Sequence, residues 1–539
     1  MIEKMKQGWR NLMNRIGAGT GIAREYKDVF ELSGVPAFSQ FYHHGIFIWK
    51  ALYRGFYRPW HLISAPTIAD AKSTREIYRL NAAKAVCAEM AGLVWGEECD
   101  VHVTIEGLES SEDNPDPLDA FIRHVFRQNA FREKMQESIE QCLALGGNAI
   151  KVWYEEQHDS EGRVVPDSGS IRLGFAMADQ FVPTSWDNAQ VREGVFISRI
   201  AKGGYYYTRL EWHRWDGLVY TIDNELFRSE MQKGANAGEM QDILGIRWPL
   251  ADMYPYLNEH VEVPVSESLF TYWRTPIANN LDDNSPLGMS FYGNAMETLH
   301  ALDVCYDSFV REFRLGKKRI IVPARCVRVV TDPQTGMPRR YFDPGDETYE
   351  ALNSDSPDDL KISDNSVELR VEEHVSALNA FLSILCLQLG FSTNTFSFDE
   401  AGGIKTATEV VSENSKTYKT IRTIQNQLSH ALEHIIRNII DVSVLYGLQW
   451  EGQSIESLIK PGYNVQIVFD DGVTQDRQTN ISEGVMLVNA GLLSRYKFLT
   501  DKKYGQGLTP EEAEEELKRI GEEQPTRMDA LSLFGGGET

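Results

Sequence analysis

At 539 residues the chain is longer than one hydrophobic core can organise, so roughly three to four structural units are expected, and 42% hydrophobic with 11% aromatic residues excludes global disorder. Its 54 Lys and Arg stand against 78 Asp and Glu, a net charge of −24 that excludes a tight, non-specific DNA clamp; any phosphate contact has to use local basic patches. Six cysteines, Cys87, Cys99, Cys142, Cys305, Cys326 and Cys386, form no C-x-x-C pair and read as buried thiols of a reduced protein, not as a disulfide scaffold or zinc module.

The chain opens with an amphipathic pattern, Ile2, Met5, Trp9, Leu12 and Ile16 against Lys4, Lys6, Arg10 and Arg15. It reads as a helix that packs on the body or a neighbouring subunit, with a membrane-surface anchor as the alternative. Helical periodicity runs from Thr74 to Trp95, an alternating strand covers Val101 to Ile105, and a helix is expected from about Ala120 to Leu145. Strands follow at "NAIKVWYEE" and "SIRLGFAMA", then a hairpin turning at Asp216-Gly217. Phe291 to Leu315 predicts a helix of about 37 Å, ended by Gly316. After it comes a β-type insertion, and then a second long helix through "SALNAFLSILCLQLGF", which is too short and too polar to span a membrane. Two long helices leading to and from a small module suggest a stalk with a tip.

Ser392 to Lys405 breaks the helical pattern and reads as a loop. Thr406 with Glu409 forms a capping box for a helix to Gly447, roughly 60 Å long, with an apolar stripe through Ile421, Ile424, Leu428, Leu432, Ile435 and Ile439. A strand is expected at Tyr463 to Phe469, a helix over "ISEGVMLVNAGLLSR", and a last acidic helix opened by Thr509, Pro510 and Glu512. The remainder reads as a mobile tail.

No Walker A loop, G-x-S-x-G elbow, H-E-x-x-H helix, dinucleotide fingerprint or EF-hand is present, so neither ATP hydrolysis nor a cofactor is expected. His430, Glu433 and His434 do match H-x-x-E-H, which places two imidazoles one helical turn apart and makes a zinc-dependent hydrolase an alternative; a third ligand is not recognisable. Asp470, Asp471 and Asp476 read as turn acids before cation ligands. Lys416, Lys419 and Arg422, spaced three apart, either meet a phosphate backbone or form a solvated face. Lys317, Lys318, Arg319, Arg325, Arg328, Arg339 and Arg340 concentrate positive charge in the tip, where they meet an anionic partner or pair with the acidic loop that follows.

The order of elements, with "LNAAKAVCAEMAGLVWGEE", "TATEVVSENSKTYKTIRTIQ" and "NAGLLSRYKF", resembles the portal proteins of tailed double-stranded DNA bacteriophages, specifically long-tailed phages of Gram-positive bacteria. The resemblance covers roughly Thr74 to Ile520. It implies an α+β portal fold with wing, stem, clip and crown regions and long helices around a central channel. By order, 1–286 would be wing, 287–315 and 366–391 stem helices, and 316–365 the clip. Segment 392–405 would be the channel loop, 406–447 a long wing helix, 448–478 a wing strand region, 479–522 crown helices and 523–539 a tail. The resemblance further implies a homo-oligomeric ring, usually of twelve subunits, in the virion at one capsid vertex and in the host cytoplasm during assembly. Its implied partners are double-stranded DNA, the terminase large subunit, a head-tail connector protein, and major capsid and scaffolding proteins. On this mapping Asn394, Phe396, Phe398 and Lys405 are the candidate DNA contacts of the channel loop, and the tip cations dock partners. A membrane-associated scaffold built on the N-terminal helix is the remaining alternative.

Overall fold

The structure, a computed structural model, describes residues 25–32, 40–64, 74–96, 99–108, 116–157, 159, 163–165, 168–188, 190–231, 243–282, 285–316, 319–321, 328–331, 336, 338–341, 363–365, 368–393, 395–398, 414–469, 484–501 and 508–523. The helix expected at residues 1–16 and the tail expected beyond Glu523 lie outside them.

Helix α1 (Gln40–Tyr53) is followed by a short strand, Thr74–Glu76, and then α2 (Ala82–Val94). The helix expected from Thr74 therefore begins eight residues late. Tertiary bonds explain why: the backbone N–H groups of Tyr78 and Leu80 donate to Asp307 and Asp303, and Asn81 sits in the left-handed region at φ 56°. After strand β1 (Asp100–Ile105), the single helix expected at 120–145 is two, α3 (Pro117–Gln128) and α4 (Phe131–Leu145). Asn129 makes the break. Its amide donates to the carbonyls of Val125 and Ile171 and its oxygen accepts from the Leu173 N–H, while Ala130 takes a φ of 45°. One side chain thus ends a helix and docks it on a strand.

Strands β2 (Gly147–Glu155) and β3 (Ser170–Met177) pair antiparallel as expected. Next come β4 (Phe181–Asp187), β5 (Gln190–Lys202), β6 (Tyr205–Asp216), β7 (Val219–Glu230), β8 (Gly245–Trp248), β9 (His260–Val263) and β10 (Phe270–Arg274). Strands β4 to β9, with Glu25–Tyr26, make a seven-stranded antiparallel sheet, and β10 joins β2 and β3 in a second sheet. Asp216 pairs with Val219, so the hairpin turn is Gly217-Leu218, one residue beyond its expected place. Gly217 at φ 62° supplies the left-handed first position that a type II′ turn demands. Side-chain alternation divides the larger sheet. Val195, Leu210, Trp212 and Phe227 pack with Val29 and Leu32, whereas Phe181 and Phe196 face Phe270 of the second sheet.

Three helices dominate the rest: α5 (Met296–Leu315), α6 (Val371–Leu389) and α7 (Ser415–Leu445). The α5 helix starts five residues after the expected Phe291, because Gly293–Ala295 first forms a 3-10 turn. Between α5 and α6 lie β11 (Arg319–Ile321), β12 (Arg328–Thr331), β13 (Pro338–Tyr341) and β14 (Ser363–Asn365). The α7 helix has 31 residues, about 46 Å of rise, and stops before Gly447 at φ 62°. Thr406 and Glu409, where its start was expected, lie outside the described residues. Its predicted stripe, Ile421, Ile424, Leu428, Leu432, Ile435 and Ile439, is buried against α2, β2 and β10 in the main core. Burial of each such side chain contributes about 1.5–3 kcal/mol, so tertiary packing holds this helix.

After α8 (Ile455–Ile459), strand β15 (Tyr463–Val468) pairs antiparallel with β1, more than 350 positions earlier in sequence by register Val465 to Val103. The helix expected over 481–495 is interrupted. Helical residues 484–489 give way to Gly491 at φ 70°, and Ser494 caps α9 (Arg495–Thr500) by accepting the Lys497 N–H. In α10 (Pro510–Glu523) the expected capping box is present: the Thr509 N–H donates to Glu512 Oε2 and the Glu512 N–H to Thr509 Oγ1. Among the described residues no helix is long and apolar enough to cross a membrane.

Candidate nucleic-acid interface

The α5 and α6 helices form an antiparallel hairpin. Phe309 lies 5.3 Å from the His374 ring, Glu312 accepts two bonds from Arg370 at 3.1 and 2.9 Å, and at the base Phe291 meets Phe391 at 5.8 Å. Two acids one turn apart fix α5 to the body. Asp307 accepts a bidentate pair from Arg75 at 2.9 and 2.6 Å and the Tyr78 N–H at 3.1 Å. Asp303 accepts from the Leu80 N–H at 2.8 Å and from His61 Nε2 at 3.0 Å; His61 Nδ1 accepts the Tyr57 N–H, which places the ring proton on Nε2. Burial pushes the Asp307 carboxyl up, but the Arg75 bonds and the Tyr78 N–H outweigh it and hold the acid below its ordinary value. This clamp was missed from the sequence. Its signal was there: Asp303 falls beside Leu299 and Leu302 on the core face of a helix, and a core-facing carboxylate needs donors.

The far end of the hairpin carries the basic insertion. Its first and last strands pair, Arg319 with Asn365 and Ile321 with Ser363, and β12 pairs with β13, Arg328 opposite Tyr341 and Arg340 opposite Val329. Arg339 and Arg340 are successive on one strand. Lys317, Lys318 and Arg325 lie outside the described residues.

At the near end the chain leaves α6 through Gly390 and enters the candidate channel loop. Ser392 is buried and its N–H donates to Thr417 Oγ1 at 2.8 Å, and Phe396 packs edge-on to buried Phe391 at 5.1 Å. Phe396, expected as a DNA contact, is half-buried and helps anchor the loop. Phe398 is 57% exposed, with its N–H held by Asn379 Oδ1 at 3.0 Å. Asn394 and Lys405 lie outside the described residues.

Of the three basic residues expected on the long helix, Lys416 is engaged locally. Its ammonium donates to the Leu387 carbonyl at 2.8 Å and satisfies the end of α6. Lys419 and Arg422 are exposed, and Asn426, His430 and Arg437 continue their line along one face of α7. No Asp or Glu occurs from Ser415 to Leu432. His430 is exposed, Glu433 is half-buried, and His434 Nε2 meets Glu267 at 3.1 Å. Burial lowers the His434 pKa against the opposing pull of Glu267. Among the described residues no three His, Cys, Asp or Glu side chains gather where they could hold a metal. The zinc-hydrolase alternative is not favoured: its two histidines sit on the helix, among the described residues no metal-holding group forms around them, and His434 is engaged by Glu267. Asp470, Asp471 and Asp476 lie outside the described residues.

A second buried polar cluster, also unforeseen, joins the two sheets. Glu211 accepts from Lys151 at 2.5 Å, from Arg209 at 2.7 Å and from His213 Nε2 at 3.0 Å. His213 Nδ1 lies 2.7 Å from the Tyr220 hydroxyl, which accepts the Leu269 N–H. Burial lowers the His213 pKa, and although burial opposes ionisation of Glu211 too, Lys151, His213 and Arg209 hold that carboxyl well below its usual range. Cys87, Cys142 and Cys386 are buried free thiols, Cys99 is buried with its Sγ toward the Val94 carbonyl, and Cys305 is half-buried; Cys326 lies outside the described residues.

The described residues form long helices on an α+β body, with buried polar clusters that hold distant elements together. Over residues 50–528 the sequence matches the family profile described as phage portal protein, SPP1 Gp6-like. The chain belongs to this family, whose members are structural virion proteins that assemble as an oligomeric ring. No curated protein matches the chain.

Proposed function

We propose that twelve copies close into a ring at one capsid vertex, forming the channel through which viral double-stranded DNA is packaged and later ejected. On this reading the body up to about Pro286 with α7 is the wing, and α5 and α6 are the stem. The insertion at 316–365 is the clip, where the terminase large subunit and the head-tail connector dock, and the segment after Thr479 is the crown. Major capsid and scaffolding proteins surround the ring, which is built in the host cytoplasm.

The observation that carries this reading is the charge pattern of α6 and the loop that follows it. On a chain of net charge −24, no charged residue occurs from Val375 to Phe398, although Ile384 and Leu387 on α6 are 44% and 61% exposed. An exposed, uncharged helix face suits either a neighbouring subunit or a wall that holds no phosphate. Mechanism then reduces to passage: the acidic body repels the DNA backbone so that it slides, Lys419 and Arg422 beside the loop footing hold it transiently, and a separate motor hydrolyses ATP. Negative-stain images of purified protein should show rings with a central hole. Gly402→Pro with Gly403→Pro should leave rings intact and lower the yield of DNA-filled heads; filled heads at normal yield would overturn the channel-loop assignment.

A further inference from the structure

Two rows of side chains on the hairpin point away from the contact between its helices. On α5, Val304, Ser308 and Arg311 lie roughly 100–160° around the helix from Phe309, which faces α6. On α6, Glu373, Ser376 and Ala380 lie roughly 100–160° around from His374, which faces α5. Val304 is 47% exposed, and Ser308, Glu373, Ser376 and Ala380 are exposed; within the chain Arg311 acts on Asp307 and Glu373 on Arg370 only as neighbouring charges, since Asp307 is bonded to Arg75 and Arg370 to Glu312.

The two rows are in register. Within one chain Phe309 lies beside His374 and Glu312 bonds to Arg370, which sets Val304 level with Ala380, Ser308 with Ser376, and Arg311 with Glu373. Rotation about an axis parallel to the hairpin preserves height. Copies arranged side by side therefore bring the α5 row of one against the α6 row of the next, at the same three levels. Val304 fills the space left by Ala380, the two serines allow the backbones to approach, and the one cation meets the one anion. A contact between two different faces of the same chain is heterologous and closes into a ring when its rotation permits.

We infer that the α5 row of each copy docks on the α6 row of its neighbour, with Arg311–Glu373 as the inter-subunit ion pair that sets the register. This rests on the ring proposed above, and its test separates the two. Ser308→Cys with Ser376→Cys, oxidised as assembled protein, should give a ladder of covalent multimers on a non-reducing denaturing gel, and neither single variant should. Rings that yield only monomer or an intrachain disulfide overturn this contact and leave the ring standing, whereas wild-type protein that forms no ring overturns the ring itself. Arg311→Glu and Glu373→Arg should each lower ring yield at low salt, and the combined reversal should recover it. If the combined variant assembles no better than the singles, the ion pair is wrong.

Discussion

Asp307 shows how much one side chain positions. It is nearly buried and takes three bonds from residues more than 220 positions away in sequence. Asp307→Asn weakens a charge-assisted bidentate pair, and a loss of about 2–3 kcal/mol is expected, read as a lower thermal midpoint with ring images for comparison. An unchanged midpoint would remove the clamp from the account of α5. His213 makes a pH prediction. Its folded pKa lies below its ordinary value because burial disfavours the charged ring, so the unfolded chain binds a proton that the folded one refuses. Stability from this group is present above about pH 6.5 and declines as pH falls below it, and Glu211, also depressed, extends the loss further into acid. The thermal midpoint should fall from pH 7 to pH 5, less steeply in His213→Gln; equal slopes would show that the imidazole is not the responsible group. Neither cluster was read from sequence, since Asp303, Asp307, Lys151 and Glu211 acquire partners only when distant strands and helices meet.

The legible elements were those whose own residues decide the outcome. Thr509, Pro510 and Glu512 form their box within four positions, and the α7 stripe follows from periodicity alone. Thr509→Ala should cost about 1 kcal/mol of local helix stability and speed amide exchange in the first turn of α10, and exchange rates like those of the parent would count against the cap. Ile435→Ala, at the centre of the α7 stripe, should cost about 2–5 kcal/mol by thermal or chemical unfolding, because the side chain is fully buried. Breaks inside apparent helices were illegible for the opposite reason. Asn129 leaves the helical path to bond with β3, and Tyr78 and Leu80 leave it for α5 acids; both choices depend on surfaces that local propensity does not contain.

For the whole molecule, the sequence showed an α+β chain with two long helices around an insertion, and the structure keeps that plan. It did not show that β15 returns to β1, because strand partners carry no local signal. Among the nucleic-acid candidates, Lys416 and Phe396 make local contacts, whereas Lys419, Arg422 and Phe398 are exposed. Lys419→Gln with Arg422→Gln, tested on assembled rings binding double-stranded DNA, should lower the slope of log affinity against log salt by about one for each phosphate that the altered side chains no longer neutralise. An unaltered slope would place DNA elsewhere on the ring.

The base of the insertion has a consequence for how the tip can be altered. Because Arg319 and Asn365 face each other across a short antiparallel ladder, everything between them enters and leaves at one doorway. A foreign segment grafted between 322 and 362 should therefore inherit that doorway and leave both helices folded, as an unchanged thermal midpoint of the graft would show.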